Sequence, residues 1–252
     1  MLSYSIACFM NGRGYGRELK KQYWYVIVIY IVMQLGGAGL AYVLTSAFQL
    51  DPFKVAVYIN IGAFLIAAVL FWVLLRKDLQ NERMSHPLSV GKIIGYTALG
   101  MLMVWAAEIA AGLLEMSLIG GDPVSENTQA IVEISKANPL FILVPALVGP
   151  ILEELVFRKI LFGVFYTKMN FFFAAILSSL LFSAAHMEFV HIFVYMFMGM
   201  VLAFLYVWTK RIIVPILVHM AINTIAVVGQ TFIDIDKLEE IQEKASLILF
   251  GG

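Results

Sequence analysis

The sequence predicts an all-α protein, a polytopic bundle of transmembrane helices. Of its 252 residues, 62% are hydrophobic and only 13% are charged, and the mean hydropathy is +0.89, outside the range of ordinary soluble domains. The apolar residues also form stretches of about 20, the length that a helix needs to cross a hydrocarbon layer of about 30 Å. Seven such stretches lie near residues 23–48, 55–75, 93–118, 139–165, 171–187, 189–208 and 212–232.

The spans differ in ways that matter for the fold. An acidic loop, residues 119–138, follows the third span and is predicted to lie outside the membrane. The fourth span is the longest, and Pro145 with Gly149-Pro150 should kink or break it. The fifth is the shortest. Glycines that we expect to let helices approach closely occur in the first and sixth spans: Gly36, Gly37, Gly39 and Gly199.

Basic residues predict the orientation. If seven spans alternate, 13 of the 17 Lys and Arg residues fall on one side, which the positive-inside rule makes cytoplasmic. Residues 1–22 are then a cytoplasmic N-terminal segment, 23–232 a transmembrane domain and 233–252 a polar tail. An eighth span within 235–252 is possible, but five acidic side chains argue against it: Asp234, Asp236, Glu239, Glu240 and Glu243.

Charge and cysteine content exclude several classes of protein. The formal net charge is zero, so no basic field attracts nucleic acid. The single cysteine, Cys8, forms neither an internal disulfide nor a thiolate zinc site. The N-terminus lacks the basic and long apolar regions of a cleaved secretory signal. Targeting is therefore expected from the first span.

Three charged residues in the fourth span, Glu153, Glu154 and Arg158, predict a functional site. Each costs about 2.5–3.5 kcal/mol at the centre of a membrane helix, so they need partners, a polar cavity or chemistry. Side chains four apart share a helix face, which predicts a buried ion pair between Glu154 and Arg158. Glu153 points about 100° away and is assigned the reactive role. The alternative is that all three line a solvated cytoplasmic helix end.

Two later spans add polar side chains. In Phe182-Ser183-Ala184-Ala185-His186, Phe182 lies one turn before His186 and can hold the imidazole by packing. In the seventh span, His219 and Asn223 are four apart and project together, and both can donate to a developing oxyanion. The alternatives are a hydrogen-bonded structural histidine and an ordinary interhelical hydrogen bond. Regular spans place His186 about 12 Å deeper than Glu153, too far for shared chemistry. A fifth helix that begins in the cytosol, a tilt, or a break of the fourth span at Gly149-Pro150 would close this gap.

Together, Glu-Glu-x-x-x-Arg, Phe-x-x-x-His and His-x-x-x-Asn on three successive polar-bearing spans resemble the CPBP family. This family comprises CAAX prenyl endopeptidases of the Ras-converting type and related bacteriocin-processing and immunity proteins. The resemblance covers residues 139–228. It implies that Glu153 activates water with help from His186 and that His219 and Asn223 stabilise the oxyanion. It also implies that Glu154 and Arg158 form a structural pair.

The resemblance also sets expectations for cofactors and partners. We favour a glutamate-based mechanism without a cofactor, and zinc is the alternative because family members were described as metalloproteases. The expected surroundings are a bacterial plasma membrane and its lipids, and the expected substrate is a lipidated or membrane-associated peptide. Two other functions stay open: a non-catalytic immunity or regulatory protein that binds a bacteriocin or a membrane sensor, and a proton-coupled carrier.

Three further polar residues receive minor roles. Glu108, in the middle of the third span, is predicted to extend the polar cavity or to pair with Arg158. We expect His191 to be exposed or interfacial, and His86 to be solvated in a charged loop beside Pro87.

Overall fold

The structure, a computed structural model, describes residues 20–118 and 125–232. Within these ranges it contains helices and no strand, which confirms the predicted all-α bundle. The helices are α1 (Lys21–Phe48), α2 (Pro52–Ser85), α3 (Val90–Leu118), α4 (Glu126–Ala137), α5 (Pro139–Lys168), α6 (Phe171–Ala185), α7 (Ile192–Thr209) and α8 (Ile213–Phe232). The termini assigned above, Cys8 and the possible eighth span lie outside the described residues.

Six of these helices are long and apolar enough to cross a membrane: α1, α2, α3, α5, α7 with its preceding turn, and α8. The remaining predicted span, α6, has only 15 residues, about 22 Å at 1.5 Å per residue. A helix of that length falls short of a hydrocarbon layer of about 30 Å. The chain is a multi-pass membrane protein, and its described residues contain six long apolar helices and a shorter one.

Local capping explains where several helices begin. Asp51 accepts hydrogen bonds from the N–H groups of Phe53 and Lys54 and is followed by a proline in the first turn of α2. Asn138 caps α5 in the same way, again before a proline. Such a cap satisfies N–H groups that a helix leaves unpaired, and proline has no N–H to lose there. Polar caps therefore mark helix starts in an otherwise apolar sequence.

Helix α4 departs from the predicted loop. It is an amphipathic helix within 119–138, and Ser125 caps it by accepting from the N–H of Thr128. It contacts α8 and the start of α5. The segment between the third and fourth spans thus covers one end of the bundle.

The winding of α5 also differs from a simple kink. The helix continues through Gly149-Pro150, but π-helical turns at Val144–Val148 and Glu154–Phe162 flank an α-helical segment at Gly149–Glu153. A π turn widens the helix and frequently occurs at a functional site. The predicted break is therefore a change of winding, and Glu153 and Glu154 lie at one of its junctions.

Close helix packing is confirmed at Gly199. A Cβ there would lie 2.6 Å from Ser179 Oγ and 3.0 Å from an Arg158 guanidinium nitrogen. The expectation was wrong for Gly36 and Gly39: near Gly36 a Cβ would meet only Val32 of its own helix, and near Gly39 nothing within 4 Å. Gly37 has ordinary contact with the neighbouring helix at 3.9 Å.

We expect Gly199→Ala to destabilise the protein by about 1–3 kcal/mol, because the added methyl overpacks the interface of α6 and α7. The measurement is the unfolding midpoint in detergent. Gly39→Ala is the matched control, since a Cβ there meets open space, and it should leave the midpoint unchanged or raise it. Equal effects of the two substitutions would contradict the assignment of Gly199 to close packing.

Candidate active site

Proline and π winding in α5 leave a carbonyl next to the site without a helical donor. The N–H of Gly149 bonds to the carbonyl of Val144, and Pro150 has no N–H. Neither residue can therefore serve the carbonyl of Pro145. Asn223 of α8 donates to it through Nδ2 at 3.1 Å. This bond fixes Asn223 against α5 and leaves its second amide hydrogen for another acceptor.

His219, one turn earlier on α8, contacts both glutamates. Its Nδ1 lies 2.9 Å from Glu154 Oε1 and its Nε2 lies 3.6 Å from Glu153 Oε2. A carboxylate is an acceptor, so Nδ1 carries a hydrogen in this contact. The Nε2 atom of a neutral ring then presents a lone pair, and only the doubly protonated imidazolium donates from both nitrogens.

The predicted ion pair between Glu154 and Arg158 is present, with Nη1 3.0 Å from Oε1 and both side chains buried. The guanidinium also lies over the ring of Phe182, 4.1 Å from its centroid, a cation–π arrangement. The alternative that these charges line a solvated helix end is wrong for Glu154 and Arg158. Glu153 is the more accessible acid, with 13% of its side chain exposed.

His186 directly follows the last residue of α6, where its ring is held on three sides. Its Nδ1 lies 2.8 Å from the carbonyl oxygen of Phe182, and a carbonyl only accepts, so Nδ1 donates. The rings of Phe182 and His186 meet edge-on at 4.6 Å, the packing that their spacing predicts, and Tyr195 stacks on the imidazole at 4.2 Å. The neutral ring then has Nε2 as an acceptor.

A cavity of about 290 Å³ unites these groups. Glu153, His186, His219 and Asn223 all line it, together with Phe182, whereas the ion pair of Glu154 and Arg158 is not in its wall. The large depth difference expected between Glu153 and His186 is therefore wrong. That estimate took the ends of straight spans as the membrane boundaries, but α5 has 30 residues and, at 1.5 Å per residue, a length of about 45 Å that exceeds the hydrocarbon layer.

Sequence reasoning missed a polar network beside His186. Glu188 accepts hydrogen bonds from the hydroxyl groups of Tyr195 and Ser125, both at 2.8 Å, and from the backbone N–H of Asn127 at 3.4 Å. It thereby connects the start of α4 to the tyrosine that stacks on His186. Asn127 and Tyr195 also line the cavity, so the network fixes one wall of the site.

The charge of Glu188 should stabilise this wall in a pH-dependent way. Burial acts to raise the pKa of Glu188, but hydrogen bonds from Ser125, Tyr195 and Asn127 outweigh it and hold that pKa below its ordinary value of 4.5. A depressed folded-state pKa stabilises the protein above the unfolded value, and this contribution is lost as pH falls through the folded value. The carboxylate therefore stabilises the fold at neutral pH, and this contribution begins to fall near pH 4.5 and is lost as the pH drops through the lower folded-state pKa.

We expect Glu188→Gln to lower the unfolding midpoint at pH 7, and we expect the difference from wild type to shrink as the pH falls below 4.5. Thermal unfolding in detergent between pH 7 and 3.5 measures both. Glu133→Gln, which changes an exposed residue of α4, is the control and should shift the midpoint far less. A difference that persists undiminished at pH 3.5 would contradict the role given to this carboxylate.

Other buried acids also have partners that the sequence did not indicate. Glu115 of α3 accepts from the N–H groups of Phe193 and Val194 and lies 3.1 Å from His191 Nδ1. His191 is therefore paired and largely buried, so the expectation of an exposed side chain was wrong, and its position at the membrane interface stays a prediction.

A second buried network joins α2, α5 and α7. Glu82 pairs with Lys159 and accepts from the hydroxyl of Tyr206 and the N–H of Ile212. Lys159 is one of the 13 basic residues that alternating spans place on the cytoplasmic side. Its side chain is buried within the protein. The contacts of charged side chains across helices far apart in sequence are not readable from local spacing.

The predictions for Glu108 and His86 have different outcomes. Glu108 is partly buried on α3, but no ion pair with Arg158 and no place in the cavity wall is found for it among the described residues. His86 is exposed, as expected for a solvated side chain, and its carbonyl accepts a hydrogen bond from Arg211.

Among residues 20–118 and 125–232, no three His, Cys, Asp or Glu side chains are grouped as metal ligands. One ring nitrogen of each histidine in the cavity already has a hydrogen-bond partner: Nδ1 of His219 contacts Glu154, and Nδ1 of His186 contacts the carbonyl of Phe182. The choice between a metal-free and a zinc mechanism stays a prediction, for which chelation is the test.

The chain is similar to a known protein family and to two bacterial membrane proteins. The family model described as type II CAAX prenyl endopeptidase Rce1-like matches residues 135–225. A putative membrane peptidase, YdiL of Bacillus subtilis, is 36% identical over 242 residues, which cover 92% of this chain and 99% of the relative. The membrane-embedded CAAX protease MroQ of Staphylococcus aureus is 33% identical over 234 residues, 88% of this chain and 94% of its own length. No solved structure matches. Near full-length similarity to both relatives, with the family match over the helices that carry the polar motifs, shows that the chain belongs to the family of CAAX protease-like membrane peptidases.

Proposed function

We propose that this chain is an intramembrane endopeptidase in which Glu153 and His186 activate water to hydrolyse a peptide bond of a membrane-associated substrate. The observation that carries the proposal is the common cavity: Glu153, His186, His219 and Asn223 all line it, in a bundle of helices long enough to span a membrane. Four polar side chains from three helices converge where apolar ones would cost less.

In the proposed reaction, Glu153 and His186 each interact with one hydrogen of the same water molecule. The carboxylate of Glu153 takes one proton, and Nε2 of His186 accepts a hydrogen bond from the other, so a water lone pair faces the substrate carbonyl carbon. A C–O bond forms and the carbonyl oxygen becomes an oxyanion. The protonated Glu153 then gives its proton to the leaving nitrogen as the C–N bond breaks.

His219 and Asn223 are proposed to hold the oxyanion. Asn223 has one amide hydrogen left after its bond to Pro145. His219 donates from Nε2 in its doubly protonated form, in which Nδ1–H faces Glu154. Donors in a site shielded from water stabilise a developing anion far more than donors at a surface.

The test is cleavage of defined peptides by the purified protein in lipid nanodiscs. A farnesylated peptide ending in cysteine, two aliphatic residues and a terminal residue is compared with the same peptide without the lipid, each with and without a zinc chelator. Cleavage of either peptide that survives chelation supports the proposal. Loss of cleavage on chelation, restored by zinc, would replace it with a metal mechanism. Absence of cleavage together with tight peptide binding would favour the immunity or regulatory function.

We also propose that the protein lies in a bacterial plasma membrane, as both bacterial relatives suggest. The distribution of basic residues supports a cytoplasmic N-terminus. The single cysteine, Cys8, permits a direct measurement of orientation. A membrane-impermeant maleimide should label it in inverted vesicles and leave it unlabelled in intact cells. Labelling in intact cells would reverse the orientation.

A further inference from the structure

Two side-chain amides line the cavity from the first two helices, which lie outside the family-matched segment. They are Gln34 of α1 and Asn60 of α2, whereas the family model covers residues 135–225. A polar amide within a membrane span is costly unless it is hydrogen-bonded. Neither residue belongs to the motifs that carry the proposed chemistry, so their positions in the wall require another explanation.

Asn60 lies close to the reactive carboxylate. It is one turn before Phe64 on the same face of α2, and both line the cavity. The Phe64 ring packs at Gly149, where a Cβ would be 3.7 Å from Phe64 Cε1 and 3.8 Å from Glu153 Oε1. This chain of contacts places Asn60 about one helical turn from the packing around Glu153.

The acceptor of this amide is unused. Asn60 Oδ1 is buried, and it accepts no hydrogen bond from any residue that the structure describes. Gln34 is held by a neighbour, since its Nε2 donates to the hydroxyl of Tyr30 at 3.3 Å. The Tyr30 ring in turn packs edge-on against Phe157 of α5. One amide thus has a buried acceptor without a described partner, and the other is held by a tyrosine of its own helix that packs against α5.

The charge of the wall limits the chemistry of the ligand. The described lining contains the carboxylate of Glu153 and no Lys or Arg. A free carboxylate on a ligand would therefore face the charge of Glu153 and would find no Lys or Arg in the described lining. Neutral peptide groups fit better, because each offers one N–H donor and one C=O acceptor, and a side-chain amide complements both.

We propose that Gln34 and Asn60 form a subsite that hydrogen-bonds the main chain of an extended peptide segment beside the bond presented to Glu153. This inference rests on the proposed peptidase function. A transmembrane helix pairs its own backbone groups, and a segment unwound for cleavage leaves them unpaired in a water-poor cavity. The two amides supply replacement partners. The ligand class is a neutral stretch of peptide main chain.

The experiment combines protein variants with substrate variants. The probe is an internally quenched farnesylated peptide, prepared unmodified and with one backbone N–H at a time replaced by N-methyl. Asn60→Leu and Gln34→Leu remove each amide at similar size. The control is Thr97→Val on α3, because the Thr97 hydroxyl is likewise buried without a partner among the described residues but is absent from the described cavity lining.

We expect Asn60→Leu to lower kcat/KM about tenfold, the loss expected for about one hydrogen bond, while Thr97→Val stays near wild type. One N-methyl position should cost wild type about tenfold and cost Asn60→Leu nothing more, since the partner is already gone. Two results would overturn the subsite: equal effects of Asn60→Leu and Thr97→Val, or undiminished N-methyl sensitivity in Asn60→Leu.

A binding measurement separates this inference from the proposed function. The affinity of the fluorescent peptide is measured for Glu153→Gln alone and for Glu153→Gln with Asn60→Leu. Weaker binding by the double variant supports the subsite even when wild type cleaves nothing, in which case only the peptidase proposal fails. Cleavage by wild type with equal peptide affinity of the two variants and unchanged kcat/KM in Asn60→Leu rejects the subsite and leaves the peptidase proposal standing.

Discussion

Glu153→Gln is expected to lower kcat for peptide cleavage by at least about 10³-fold, while the protein still inserts and folds. The substitution keeps the size of the side chain and its place in the cavity wall but removes the proton acceptor. Loss of a positioned general base costs about 10²–10⁴-fold, and here the same group also returns the proton to the leaving nitrogen. The measurement is single-turnover cleavage of the quenched peptide in nanodiscs.

A second carboxylate offers the matched control. Glu108 lies within a membrane span but is not part of the described cavity wall, so Glu108→Gln should cleave at close to the wild-type rate. Both variants should keep the wild-type unfolding midpoint, which separates a chemical loss from misfolding. Wild-type kcat in Glu153→Gln would rule out this residue as the base.

Arg158→Met is expected to destabilise the protein by about 3–5 kcal/mol, the cost of leaving one member of a buried ion pair without its partner. Both side chains of the pair are at most 1% exposed, so water cannot replace the lost guanidinium. The cation over the Phe182 ring is lost as well. The measurement is the thermal unfolding midpoint in detergent, together with the denaturant concentration at which half of the protein is unfolded.

A double variant distinguishes the buried pair from simple packing. Adding Glu154→Leu to Arg158→Met removes the stranded carboxylate and should restore part of the lost stability, although the Nδ1–H of His219 then loses its acceptor. Lys54→Met serves as the control, because Lys54 and Asp51 form an exposed pair at 3.9 Å, and exposed pairs contribute little. If the double variant were less stable than Arg158→Met by as much as Arg158→Met is less stable than wild type, the ion-pair argument would be contradicted.

Several features of the site follow from spacing within one helix. Glu154 and Arg158, Phe182 and His186, and His219 and Asn223 are each four apart, and each pair shares a side of its helix in the structure. The separation of Glu153 from Glu154 also follows, since one lines the cavity and the other is buried behind it. Helical periodicity is a local property, and residues four apart remain neighbours even through a change of winding.

Contacts between helices could not be obtained in this way. Tyr195 and Glu188 beside His186, His191 with Glu115, and Lys159 with Glu82 each join residues that no short motif connects. The covering helix α4 was missed because a short polar segment with one apolar side has little effect on hydropathy. Its position depends on Ser125 and Glu188, which are 63 residues apart.

The sequence by itself determined that this protein is a helical membrane bundle and which polar side chains share a helix face, because hydropathy and helical period are properties of neighbouring residues. Only the tertiary structure decided that three helices bring Glu153, His186, His219 and Asn223 to one cavity. The physical reason lies in α6 and α5. The short helix α6 ends beside the cavity, where His186 follows it. In α5, a π turn followed by Pro150 leaves the carbonyl of Pro145 to accept a hydrogen bond from Asn223 of α8.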